Sequence, residues 1–193
     1  MPVPAEEREE PHLPGEAGVW MFIMGDLLMF ALLFSVFVYY RAQDVPLFSQ
    51  AQTTLNQTYG LFNTLLMLSS SWFVALGMHS ARHTTGKRTA TMFALAFVCG
   101  AGFVVVKYFE WGEKIRSGVT IVTNDFYMYY FMLTGIHLMH VVIGMGVLAF
   151  LWNTSRAEEF DPPNIMVMES CASFWHMVDI LWVVLFGLLY LMR

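Results

Sequence analysis

Five stretches of about twenty apolar residues, separated by short polar segments, leave this chain few ways to fold. They run over residues 17–40, 60–78, 91–108, 126–152 and 171–192. Each has the length at which a helix, rising about 1.5 Å per residue, crosses the hydrocarbon of a bilayer. A soluble domain of 193 residues needs one core, and five such helices in succession could not hide their outer faces from water. The pattern predicts an all-α integral membrane protein: a single five-transmembrane-helix bundle over residues 17–193, preceded by a polar acidic tail over residues 1–16. The composition agrees, being 57% hydrophobic and 13% charged, about half the charge of a soluble domain.

The net charge of -5 comes largely from the tail, where Glu6, Glu7, Glu9, Glu10 and Glu16 outnumber Arg8. No basic face suits nucleic acid. Cys99 and Cys171 lie in or beside apolar runs with no CxxC spacing, and are read as packing residues. The N-terminus lacks the basic stretch and short apolar core of a cleaved leader, so the first helix is expected to stay. Five crossings put the tail and loops 79–90 and 153–170 on one side, with Arg8, Arg82, Lys87, Arg88 and Arg156. The other side holds Arg41, Lys114, Arg116 and Arg193. The dense cluster Arg82, Lys87 and Arg88 assigns its side, and the N-terminus, to the cytoplasm, which leaves the C-terminus outside.

Polar groups inside the spans are the candidates for function, because a charge in hydrocarbon must be paired, hydrated or neutral. Asp26 sits in the first span, and His176 and Asp179 lie one turn apart in the fifth. By helical rise, Asp26 and Asp179 are each about 12 Å from the cytoplasmic boundary and His176 about 8 Å. This depth match permits an inward-facing polar cluster between the first and fifth helices. Structural glue is its first reading and proton handling its second. His137 and His140 lie near the bilayer midplane, one turn apart. A di-iron bundle would add Glu-x-x-His motifs and further glutamates, and the fourth span has no acid after Phe126. Nothing else in the chain reads as a haem site. The two imidazoles are therefore expected to be neutral and to bridge helices by hydrogen bonds. Lys107 and Glu110 read as a structural ion pair near the outer end of the third span, with the lysine snorkelling outward. Asn63, Thr64 and Ser69 to Ser71 give the second span a polar face that must turn toward protein. Ala96, Gly100, Gly102, Gly135, Gly144 and Gly146 mark close helix contacts.

Four of these segments resemble hallmarks of the subunit III family of heme-copper oxidases. Residues 169–191, ESCASFWHMVDILWVVLFGLLYL, are similar to the family's closing helix, with its Trp-His-x-Val-Asp and Trp-x-x-Leu-Phe signature around Trp175, His176 and Asp179. Residues 131–144, FMLTGIHLMHVVIG, resemble a second hallmark, residues 63–70 a third, and residues 102–111, closing on Glu110 and Trp111, a fourth. The resemblance implies the five-helix bacterial form, in the cytoplasmic membrane. It implies a non-redox subunit, with no catalytic residue, metal or cofactor of its own, docked on subunit I and alongside subunit II. Haem and copper would stay in those partners, and phospholipid would bind in a cleft. Asp26 stands where the family usually carries a membrane-embedded Glu associated with proton supply, and Lys107 where Gln is common. A similar five-helix branch accompanies nitric oxide reductases as an accessory protein, and is the alternative. An independent proton or ion transporter is a third reading.

Overall fold

A computed structural model describes residues 16–83, 86–156 and 163–192. The chain forms α1 (Ala17–Gln43), α2 (Val45–Thr53), α3 (Gln57–His83), α4 (Gly86–Arg116), α5 (Asp125–Thr154) and α6 (Pro163–Phe186), the last running into a π-helical turn over Gly187–Leu191. No strand occurs among the described residues. Five helices, all except α2, are long and apolar enough to cross a membrane. Helix is the form such sequences must take, because it satisfies backbone polar groups within the segment, where lipid offers no partner. The helices extend beyond the apolar windows of the sequence at most ends, since a helix does not stop where hydrocarbon does. The expected tail lies, apart from Glu16, outside the described residues, as do loop positions 84–85 and 157–162.

Local chemistry fixes the boundaries. Asp44 Oδ1 accepts from Leu47 N at 3.1 Å and Pro46 follows it, which starts α2. Asn124 Oδ1 accepts from Tyr127 N at 2.9 Å and starts α5. The end of α4 is a Schellman turn: Val119 N donates to Lys114 O at 3.0 Å and Gly118 N to Ile115 O at 3.1 Å. Gly118 there has φ +81, a conformation that a side chain resists.

Helix α6 is the centre of the bundle and α1 its edge. More than half of the apolar window of α6 (56%) is buried, against 17% for α1. α3 and α4 pack as an antiparallel pair, and α6 lies on α3, α5 and α1. Trp175 and Trp182 fill the middle and are fully buried. Room for Trp175 comes from two glycines, since a Cβ on Gly144 would lie 2.6 Å from Trp175 Cε3 and one on Gly100 3.1 Å from Cη2. The polar face of α3 turns inward: Ser70 Oγ donates to Ala96 O at 2.9 Å, and Thr64 Oγ1 accepts from Trp182 Nε1 at 3.1 Å.

Each end of the bundle is tied across the sequence. At one end Arg82 meets Glu169 at 2.5 Å, and Glu16 N donates to Ser170 Oγ at 2.9 Å. At the other, α2 covers the helix ends. Gln52 Nε2 donates to Leu188 O at 2.9 Å and Leu189 O at 3.3 Å, and Gln57 Nε2 to Tyr190 O at 2.9 Å. These carbonyls belong to the π-helical turn. The amphipathic α2 is too short and polar to register as a span.

Candidate functional site

Three polar groups occupy the interior of the spans, and they do not form the single cluster expected of Asp26, His176 and Asp179. The first surrounds Lys107, which has no accessible surface. Its Nζ donates to Glu110 Oε2 at 2.9 Å and to the Tyr190 hydroxyl at 2.9 Å. Glu110 Oε1 accepts from Tyr130 at 2.8 Å and from Tyr190. The ammonium also lies 4.9 Å from the ring of Trp182 and 5.2 Å from that of Tyr130. The lysine therefore points inward and does not snorkel, because α5 and the π-helical turn bring acceptors and aromatic faces to it. Tyr130 and Tyr190 are not among the residues that the sequence singles out.

The second group joins α1 to α5. His140 Nε2 lies 3.0 Å from Asp26 Oδ2, and His140 Nδ1 lies 2.9 Å from Ile136 O. A carbonyl can only accept, so Nδ1 carries hydrogen. The Nε2 contact then needs a second proton, held either by an imidazolium facing a carboxylate or by a carboxylic acid facing a neutral imidazole. Either arrangement places one proton between the two groups and is neutral overall. Asp26 thus meets α5 and not α6, correcting the expected grouping. A largely apolar groove of about 350 Å³ runs beside His140, lined also by Val19, Phe22, Ile143, Val147 and Phe174 among others.

The third group lies between α3 and α6. His176 Nδ1 hydrogen-bonds with Ser71 Oγ at 2.7 Å and stands 3.9 Å from Asp179 Oδ2. Asp179 is 3% exposed; among the described residues neither of its oxygens receives a hydrogen bond of normal geometry, although the Ser71 hydroxyl and His176 Nδ1 stand close by. The depth argument also shifts, because the apolar part of α6 begins at Ile165. Asp179 is then about 21 Å along that helix, near its middle.

His137 is corrected as well. Among the described residues neither ring nitrogen has a hydrogen-bond partner, and the ring packs 5.3 Å from Trp182 and 5.6 Å from Phe103. Three residues turn a helix by about 300°, so His137 and His140 face different neighbours, and those of His137 are aromatic. Asn63 is fully buried, and among the described residues neither end of its amide has a hydrogen-bond partner. Trp111 packs edge-on against Phe131 at 5.8 Å. Among the described residues no three His, Cys, Asp or Glu side chains converge as a metal-ligand set.

Fold and polar groups together define a multi-pass helical membrane protein in which, among the described residues, Lys107 pairs with Glu110 within α4, Asp26 meets His140 between α1 and α5, and Asp179 stands 3.9 Å from His176. Residues 15–193 match the family model for cytochrome c oxidase subunit III, so the chain belongs to that family. It is 25% identical over 176 residues to a probable cytochrome c oxidase subunit 3 of Nocardia farcinica, covering 91% of this chain and 87% of the relative. It is 27% identical over 179 residues to cytochrome c oxidase subunit 3 of Corynebacterium diphtheriae (91% and 87%). With the Bacillus sp. strain PS3 subunit 3 it shares 26% over 176 residues (91% and 84%).

Proposed function

We propose that this chain is the non-redox third subunit of a heme-copper terminal oxidase in the bacterial cytoplasmic membrane. It stabilises the catalytic subunit and supports proton uptake, while electron transfer and oxygen chemistry stay with the haem and copper of subunits I and II. The observation that carries the reading is the match of residues 15–193, which include every described residue, to the subunit III family. Arg82, Lys87 and Arg88 favour a cytoplasmic N-terminus and an outside C-terminus. The largely apolar lining of the groove beside His140 suits a phospholipid acyl chain.

The proton role rests on the Asp26 and His140 pair, whose shared proton can move by about one hydrogen bond without creating net charge in lipid. Affinity purification of the tagged chain in mild detergent tests the assignment. Subunit I and a copper-A subunit should come with it, whereas recovery of a cytochrome c-bearing nitric oxide reductase would assign it to the accessory branch. Purified alone, the chain should show no Soret band and no stoichiometric iron or copper. A bound haem spectrum would overturn the cofactor-free reading.

A further inference from the structure

Asp179 is the one membrane-depth acid described whose carboxylate receives no hydrogen bond of normal geometry: Asp26 has His140, and Glu110 has Lys107 and two phenols. It faces a groove of about 340 Å³ between α3 and α6, lined by Leu68, Ser71, His176, Asp179, Ile180 and Val183 among others. The rim is apolar and outward-facing, with Ile180 60% and Leu68 49% exposed. Resting on the subunit III reading, we infer that this groove receives a transmembrane helix of the catalytic subunit, and that a basic or other hydrogen-bond-donating side chain on that helix satisfies Asp179.

The chemistry selects the occupant. A carboxyl in hydrocarbon without a hydrogen-bond partner, ionised or neutral, loses several kcal/mol, and a polar side chain supplied by the native assembly relieves that cost. Asp179 lies about 18 Å from the Leu191 end of its span and about 21 Å from the Ile165 end, which is beyond the reach of lipid headgroups. Acyl chains offer no donor. A second copy of this chain would bring the same acid and imidazole, and Lys107, its membrane-depth base, is enclosed by Glu110 and Tyr190. A donor on another membrane-spanning helix remains. His176, anchored through Nδ1 to Ser71 and 37% exposed at its side chain, stands at the groove's edge, where it can meet the same helix.

The test uses the assembled complex. A photo-crosslinking residue at Ile180 should label the catalytic subunit, whereas the same probe at Val98, exposed on α4, should label lipid. Asp179→Leu should lower the catalytic subunit retained on the tagged chain at least about tenfold, while the isolated variant keeps its helicity and detergent melting temperature. Labelling of lipid alone from Ile180 overturns the inference, as does full retention by Asp179→Leu. The Ile180 probe decides the matter even if Asp179→Leu fails to fold. Should the unmodified chain retain no catalytic subunit, the subunit III reading itself fails. Retention with no label from Ile180 leaves that reading standing and removes only this face.

Discussion

Lys107 Nζ sits between Glu110 Oε2 and the Tyr190 hydroxyl, with the indole of Trp182 beneath it and no accessible surface. Removing one partner of such a pair strands the other charge, whereas replacing both by apolar groups of similar volume is often neutral. Glu110→Leu is therefore expected to lower stability by about 3–5 kcal/mol, measured by denaturant titration in mixed micelles. The double variant Lys107→Met, Glu110→Leu should recover most of that loss. Strictly additive single effects would show that the two groups are not coupled. The sequence displays Lys107 and Glu110 one turn apart, and that much of the pair is legible from helical spacing. Its direction is not, since Tyr130 and Tyr190 approach Glu110 from 20 and 80 residues away. Local spacing carries no information about contacts of that range.

Between elements, the closest approach of α5 to α6 is set by Gly144, whose missing Cβ is replaced by the six-membered ring of Trp175. That indole is boxed on its far side by Gly100, so it cannot retreat from an added methyl. Gly144→Ala should destabilise the bundle by about 1–3 kcal/mol. Gly146→Ala, with nothing within 4 Å, is the matched control; it should gain up to about 1 kcal/mol from helix propensity. Equal melting temperatures for the two variants would refute this packing argument. A second element-level contact is Gln52, which reaches the carbonyls of Leu188 and Leu189 where the π-helical turn frees them. Gln52→Ala should increase hydrogen exchange at the amides of residues 188–192, because α2 no longer holds that turn. Unchanged exchange would assign α2 no part in fixing it. Hydropathy found the five long helices because lipid imposes one length and one polarity on each. It passed over α2 and the π-helical turn, which are held by a few directed hydrogen bonds. Gly100, Gly102, Gly135 and Gly144 mark positions of close approach, whereas Gly146, expected with them, faces nothing within 4 Å; in none of these does spacing name the partner that fills the gap.

For the whole molecule, the arrangement of helices decides which polar groups meet. Depth along each span put Asp26 level with Asp179, a one-dimensional argument that cannot tell whether α1 leans on α5 or α6. It touches both, and the acid finds His140. The pair holds one proton that neither the Ile136 carbonyl nor the apolar groove beside it can take. Asp26→Asn keeps the shape and lets an amide N–H donate to Nε2, but removes the shared proton. In the assembled oxidase this variant is expected to leave subunit composition and haem spectra unchanged. It should slow proton uptake or shorten the active lifetime by several-fold, with Asp26→Glu restoring the lost behaviour, since it returns a carboxylate one bond further along. Stopped-flow alkalisation measurements and turnover to inactivation give the two readouts separately. If Asp26→Asn matches the parent in both, the pair serves only to hold α1 against α5. That role would instead appear as a lower melting temperature for Asp26→Leu, which can make no hydrogen bond to His140 at all.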